Sequence, residues 1–163
     1  DLFDQSTLAY VSDYSVSDYV QAIELAYEAF PSYKSLAPRS RSELLRSWAI
    51  EVRRSRQDLA ALCTLELGKP FKKSLRAVDY AIDFLHWFEN LAEQGCGGET
   101  IPNSSTGNVR IFTLLQPVGV VCAITPWNSL YSGVLKEIAP RWLLAVRSSI
   151  SRPPKHLYIG LHL

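Results

Sequence analysis

Through the first 95 residues the apolar positions recur at helical spacing, and after them the period shortens to that of strands. Ser15 followed by Asp18 reads as a capping box opening a helix whose face is Ala22, Ile23, Ala26, Tyr27 and Phe30, with Pro31 expected to end it. Ahead of it, Leu8-Ala9-Tyr10-Val11 predicts a short strand. A second helix is expected over residues 38–54, with a buried stripe of Leu44, Leu45, Trp48, Ala49 and Val52. Arg39, Arg41, Arg46, Arg53 and Arg54 point mostly away from it, which reads either as an anion site or as a solvated face interleaved with Glu43 and Glu51. A third helix, residues 58–67, stops at Gly68, a residue able to take the left-handed conformation beyond a helix end.

A long helix follows over residues 71–94, with Val78, Ala81, Ile82, Leu85, Phe88, Leu91 and Ala92 on one side. Tyr80, Phe84, His86 and Trp87 fall around that seam, either packed in a helical layer or lining a pocket. From Gly97 onward, turn residues separate β-rich runs at 109–115 and 118–124, split by Gln116-Pro117. The second run is apolar throughout, the pattern of a strand covered on both faces in a parallel sheet. One further helix is expected at residues 130–139. Helices, a hairpin and then a buried strand predict an α/β fold, the opening of an incomplete doubly wound, Rossmann-like domain behind an N-terminal helical layer.

Composition narrows the function classes. The chain has 163 residues, 47% hydrophobic and 20% charged, with a formal net charge of +1, which is globular and neither disordered nor repetitive. The near-neutral balance gives no field for nucleic acid or an anionic membrane surface, and no run approaches 18 apolar residues. Neither partner is expected. Cys63, Cys96 and Cys122 form no CxxC pair, so reduced thiols and a cytoplasmic location are expected, or a mitochondrial one if a transit peptide preceded Asp1. No metal-ligand spacing involves His86, His156 or His162, and no metal is expected. The absence of Met, the initiator included, reads as a processed chain or a fragment.

Chemistry concentrates at residues 116–128, where an apolar strand runs straight into Thr125-Pro126-Trp127-Asn128 and places polar groups beyond its carboxyl end. This stretch resembles the first coenzyme-domain strand and loop of the aldehyde dehydrogenase superfamily. AIELAYEAF at 22–30, LELGKP at 65–70, GETIP at 98–102 and KEIAP at 136–140 agree in order, and together they look closest to the succinate-semialdehyde type. The resemblance covers about residues 8 to 140. It implies an NAD(P)+-dependent oxidation of a small aldehyde to its acid, NAD or NADP as cofactor, and a homo-oligomer held through a protruding hairpin at 98–117. It assigns Asn128 as side-chain donor to the oxyanion and Ile124, Thr125, Pro126 and Trp127 to the cofactor wall. The family's Phe-Pro after this Asn is Ser129-Leu130 here. Its nucleophilic Cys, general-base Glu and Gly-rich cofactor motif match no residue of these 163, so the chain alone is expected to be inactive, as a truncated enzyme, as a non-catalytic partner of a full-length homologue or as a pseudogene product.

The composition breaks after Pro140. Residues 1–140 hold 13 of the 17 Lys+Arg and all 16 Asp+Glu, whereas Arg141, Arg147, Arg152 and Lys155 have no acid beside them. Joining the last base of each codon to the first two of the next lets this stretch spell Ala-Leu-Ala-Ala-Gly-Cys and, after a β-like run, Lys, which is the family's continuation. The expectation is a partial dehydrogenase domain over 1–140 and an out-of-frame tail over 141–163.

Overall fold

The computed structural model describes residues 6–7, 9–10, 13–95, 97–102, 105, 107, 109–126, 128–143 and 148–151. Leu8 and Val11 of the expected first strand lie outside that set, and Ala9 and Tyr10 are not in a strand.

Helix α1 is Val16–Lys34. Ser15 caps it reciprocally: the Asp18 amide donates to Ser15 Oγ at 3.4 Å, and Asp18 Oδ2 accepts from the Ser15 amide at 2.7 Å. The Ser15 hydroxyl, which also donates to Asp18 Oδ2 at 2.7 Å, and after it the Ser15 amide hold the Asp18 carboxyl below its ordinary value. Pro31 does not end the helix as expected. It removes one backbone donor, yet its own carbonyl still accepts from the Ser35 amide at 3.2 Å, and Ser32 Oγ covers the Ala29 carbonyl, so the break moves one turn on.

Helix α2, Pro38–Arg54, begins on a proline at its first position, where a missing N–H removes nothing. Its buried residues are Ser42, Leu45, Trp48, Ala49 and Val52. Leu44, expected in the stripe, is 41% exposed, because it sits about a quarter turn off the seam centred between Leu45, Trp48, Ala49 and Val52. Helix α3, Arg56–Leu67, starts two residues earlier than expected and ends at Gly68 with φ 64°, whose amide donates to the Thr64 carbonyl at 2.9 Å.

Helix α4, Phe71–Gln94, has the expected bounds and is the centre of the layer, packed by α2, α3 and α5, the last spanning Leu130–Leu143. One core joins them: Leu45, Trp48, Ala49 and Val52 from α2, Ala60 from α3, Val78, Ala81, Ile82, Leu85 and Ala92 from α4, and Leu135, Ile138 and Ala139 from α5. Tyr80 and Trp87 are exposed, so among the described residues these two are neither packed in the helical layer nor enclosed in a pocket. Helix α5 passes the expected end at 139 and carries Pro140 within it.

The hairpin pairs β1, Thr100–Pro102, with β2, Arg110–Phe112, antiparallel and with Ile101 opposite Ile111. The strand expected at 109–115 is thus three residues long, with Thr113 beyond it still donating its amide to the Glu99 carbonyl at 2.9 Å. Gly98 is fixed by close approach: a Cβ there would stand 1.5 Å from the Thr113 carbonyl oxygen. Strand β3, Val121–Ile124, is shorter than the expected 118–124, and Gly119 upstream turns the chain at φ +106°. β3 pairs in parallel with β4, Ser148–Ser151, so that β3, α5 and β4 form a βαβ unit. Coverage on both faces is not found: Ala123 is buried where β3 meets α5, whereas Cys122 and Ile124 are exposed, with no described element over them.

Candidate functional site

The loop at the carboxyl end of β3 leads directly into α5, and its residues separate by burial. Ile124 is 75% exposed and Pro126 is exposed, so both offer apolar surface to solvent at the strand's end. Thr125 is buried, its Cβ facing Gly133 one turn into α5; a Cβ on Gly133 would lie 3.9 Å from it and 3.4 Å from Ser129 Cβ. Trp127 lies outside the described residues. Asn128 is exposed in a turn two residues before α5, and the Ser129 carbonyl accepts from the Gly133 amide at 2.9 Å to start the helix.

An exposed carboxamide at this place can donate two N–H bonds to an oxygen that gains negative charge, without introducing a charge of its own. Ile124 and Pro126 give an apolar lip of the kind a flat heteroaromatic ring lies against, and in that respect the residues fit a dinucleotide's ring. For its phosphates the described loop offers neither a Gly-rich turn nor a cation.

The start of α5 is tied to the helical layer. Leu130 is buried, and Tyr131 Oη donates to the Leu59 carbonyl of α3 at 2.6 Å. Burial, with Cys63 and Glu66 adding to it, pushes the Tyr131 phenol well up, so the donor keeps its proton. A large polar-tipped aromatic in the first turn of α5 is the one signal in the sequence that points to such an anchor.

The arginines of α2 are engaged within the fold. Arg39 pairs with Glu43 at 3.5 Å and Arg54 with Glu51 at 3.9 Å, Arg41 Nη1 donates to the Leu36 carbonyl, and Arg46 Nε meets Glu89. The interleaved-face reading therefore holds over the anion site. Glu89 is buried on α4, and the run Ile82, Leu85, Glu89, Ala92 places it on the apolar face. His86 Nδ1 lies 2.9 Å from Glu89 Oε2, and Arg53 Nη2 lies 3.3 Å from His86 Nε2, a pair of contacts that suits the Nδ1–H tautomer. Cys63 is a buried free thiol and Cys122 an exposed one, and Cys96 lies outside the described residues. Among the described residues no group of three or more His, Cys, Asp or Glu is placed to hold a metal, and no helix is long and apolar enough to cross a membrane.

Comparison with known proteins gives this arrangement its family. Residues 1–148 match the sequence model of the aldehyde dehydrogenase family. Among curated relatives, succinate-semialdehyde dehydrogenase [NADP(+)] 1 of Schizosaccharomyces pombe is 42% identical over 122 residues, covering 75% of this chain and 24% of its own. The succinate-semialdehyde dehydrogenase [NADP(+)] of Escherichia coli (strain K12) is 36% identical over 121 residues, covering 73% of this chain and 24% of its own. The chain thus spans about a quarter of the length of the curated relatives it matches. Of solved structures, an E. coli NADP-dependent enzyme superposes with a TM-score of 0.87 at 28% identity, over 94% of this chain and 31% of that one. An aldehyde dehydrogenase from Brucella melitensis biovar abortus 2308 gives 0.84 at 31% identity, over 90% and 30%. The order of helical layer, hairpin, strand and helix is thus part of a known architecture, and the chain belongs to the aldehyde dehydrogenase family.

Proposed function

We propose that the chain supplies the oxyanion donor, Asn128, and one wall of the cofactor site, Ile124, Thr125, Pro126 and Trp127, to an NAD(P)+-dependent oxidation of a semialdehyde-type substrate to its acid. The observation that carries this reading is the exposed Asn128 in the turn between β3 and α5. When the aldehyde carbon is attacked, its oxygen becomes negative, and the Asn128 carboxamide N–H donates to it; one such donor contributes about 3 kcal/mol in the transition state. A nicotinamide cofactor, when bound, would supply the hydride-accepting chemistry. Ile124 and Pro126 would lie against it and exclude water, whereas Thr125 would contribute backbone, its side chain being turned into the fold.

None of the 163 residues matches the family's nucleophilic Cys or general-base Glu, so on this reading the chain alone turns nothing over. Purified chain incubated with NAD+ or NADP+ and succinate semialdehyde is expected to produce no reduced cofactor; Cys-dependent production would overturn the reading. The hairpin at 98–117 would serve a homo-oligomeric contact, in the cytoplasm or in the mitochondrion. Residues 141–163 are read as out of frame, and transcript sequencing across codons 138–145 tests this: an uninterrupted frame to Leu163 in reproducibly expressed message removes it.

A second reading, a non-catalytic partner of a full-length homologue, is favoured by one observation. Val16, Val20, Ile23 and Leu25 on α1 and Phe112 and Leu114 at the hairpin are exposed apolar side chains. Co-elution of the chain with a full-length relative, lost on replacing Phe112 and Leu114 by Ser, would support it, and separate elution would exclude it.

A further inference from the structure

We infer that Tyr131 is the positioning residue for Asn128: its hydroxyl, bonded to the Leu59 carbonyl, fixes the first turn of α5 against α3 and so sets where the preceding carboxamide stands. The inference rests on the reading of Asn128 as the oxyanion donor. Asn128 is exposed, so the backbone on either side of it places its carboxamide. Upstream, that backbone is held at Thr125, which is buried against Gly133 of α5. Downstream, it is held at Leu130, also buried, and at Tyr131, whose Oη reaches the Leu59 carbonyl at 2.6 Å across 72 residues of sequence.

Both clamps act through α5, whose core contacts at Leu135, Ile138 and Ala139 lie one to two turns further on. The Tyr131 hydroxyl supplies the directional contact at the end nearest Asn128. The Leu59 carbonyl belongs to α3, itself locked to α4 by the bidentate pair of Arg56 with Asp79 at 2.5 and 2.6 Å, so the anchor point does not drift. A hydrogen bond fixes an angle as well as a distance, which apolar packing of the same ring does not. Phe at 131 would therefore keep the packing and lose the aim. An oxyanion donor is effective only when preorganised to within a few tenths of an ångström of its acceptor.

The test uses the full 163-residue chain, 15N-labelled, with the Asn128 carboxamide pair identified by its loss in N128D. In Y131F that pair is expected to shift or broaden, and the amides of residues 128–133 are expected to exchange about five- to tenfold faster, the effect of one hydrogen bond. Amides of α2 and α4 should be unchanged, which separates positioning from general loosening. An unchanged Asn128 pair in folded Y131F overturns the inference and leaves the role of Asn128 itself standing, since that role is read by turnover of an active chimera. Should Y131F not fold, the parent chain decides. A Tyr131 hydroxyl proton that is protected from exchange and shows a scalar coupling across the bond to the Leu59 carbonyl carbon supports the inference, and a freely exchanging hydroxyl overturns it.

Discussion

Arg46 Nε lies 2.5 Å from Glu89 Oε1, joining α2 to α4 through a carboxylate that is 7% exposed. His86 occupies the other oxygen and Arg53 the far side of His86, so that four side chains of two helices share one buried negative charge. Burial alone would raise the Glu89 carboxyl; the bonds from His86 and Arg46 outweigh it and hold the group below its ordinary value. Removing the acceptor from such a group strands its partners, so Glu89→Ala is predicted to lower the unfolding free energy by about 2 kcal/mol, with Glu89→Gln costing less. Urea denaturation of the two variants against the parent measures both.

Asp79 and Glu89 predict an acid limb to the stability curve. The Arg56 hydrogen bond chiefly holds Asp79 below its ordinary 3.8, and Glu89 lies below its ordinary 4.5. The unfolded chain, with ordinary carboxyls, therefore binds protons first as pH falls. The stabilisation is complete above the ordinary carboxylate range, declines below about pH 4.5, and is lost once the pH passes the depressed folded values. Urea midpoints measured from pH 6 to pH 3 should fall along this limb, and the D79N/E89Q double variant should flatten it.

Gly98→Ala is predicted to open the hairpin. Its Cβ would meet the Thr113 carbonyl oxygen at 1.5 Å, and Thr113 itself joins the strands through its amide to the Glu99 carbonyl at 2.9 Å and its hydroxyl to the Glu99 amide at 2.7 Å. Every residue of β1 and β2 is exposed, so the loss should stay local. Hydrogen exchange should show amides of 100–112 unprotected and those of α4 unchanged; retained protection in the hairpin would count against the close approach.

Gly68→Ala forces a side chain into the left-handed region at φ 64° and is expected to destabilise by about 1 kcal/mol, with Gly68→Asn costing less. Thermal unfolding followed by circular dichroism at 222 nm checks the order of the three proteins.

The helical layer was legible because its stripes are long: α4 alone supplies 24 residues of pattern, and its bounds emerged without tertiary information. Pro31 and Leu44 depart from the sequence expectation because both depend on what the rest of the helix does, the first on whether the following turn can close, the second on a seam position a quarter turn away. β3 is a different case. Its apolar run predicts two covered faces, and within the described residues only the Ala123 face is covered, since burial of a strand is a property of neighbouring layers. Of the candidate site, the residue types and their order after the strand were readable. The burial of Thr125 and the reach of Tyr131 to Leu59 were not, because each depends on how α5 is set against elements distant in sequence.

The most direct measurement of the central claim is turnover of a chimera joining residues 1–140 to the downstream remainder of the E. coli succinate-semialdehyde dehydrogenase, assayed with NADP+ and succinate semialdehyde. The parent chimera should reduce NADP+, and N128A should lower its kcat by roughly 100- to 1,000-fold, as loss of one oxyanion donor does. A folded N128A chimera with a kcat within about twofold of the parent would contradict the assignment of Asn128, because a loss that small is far below what removing such a donor costs.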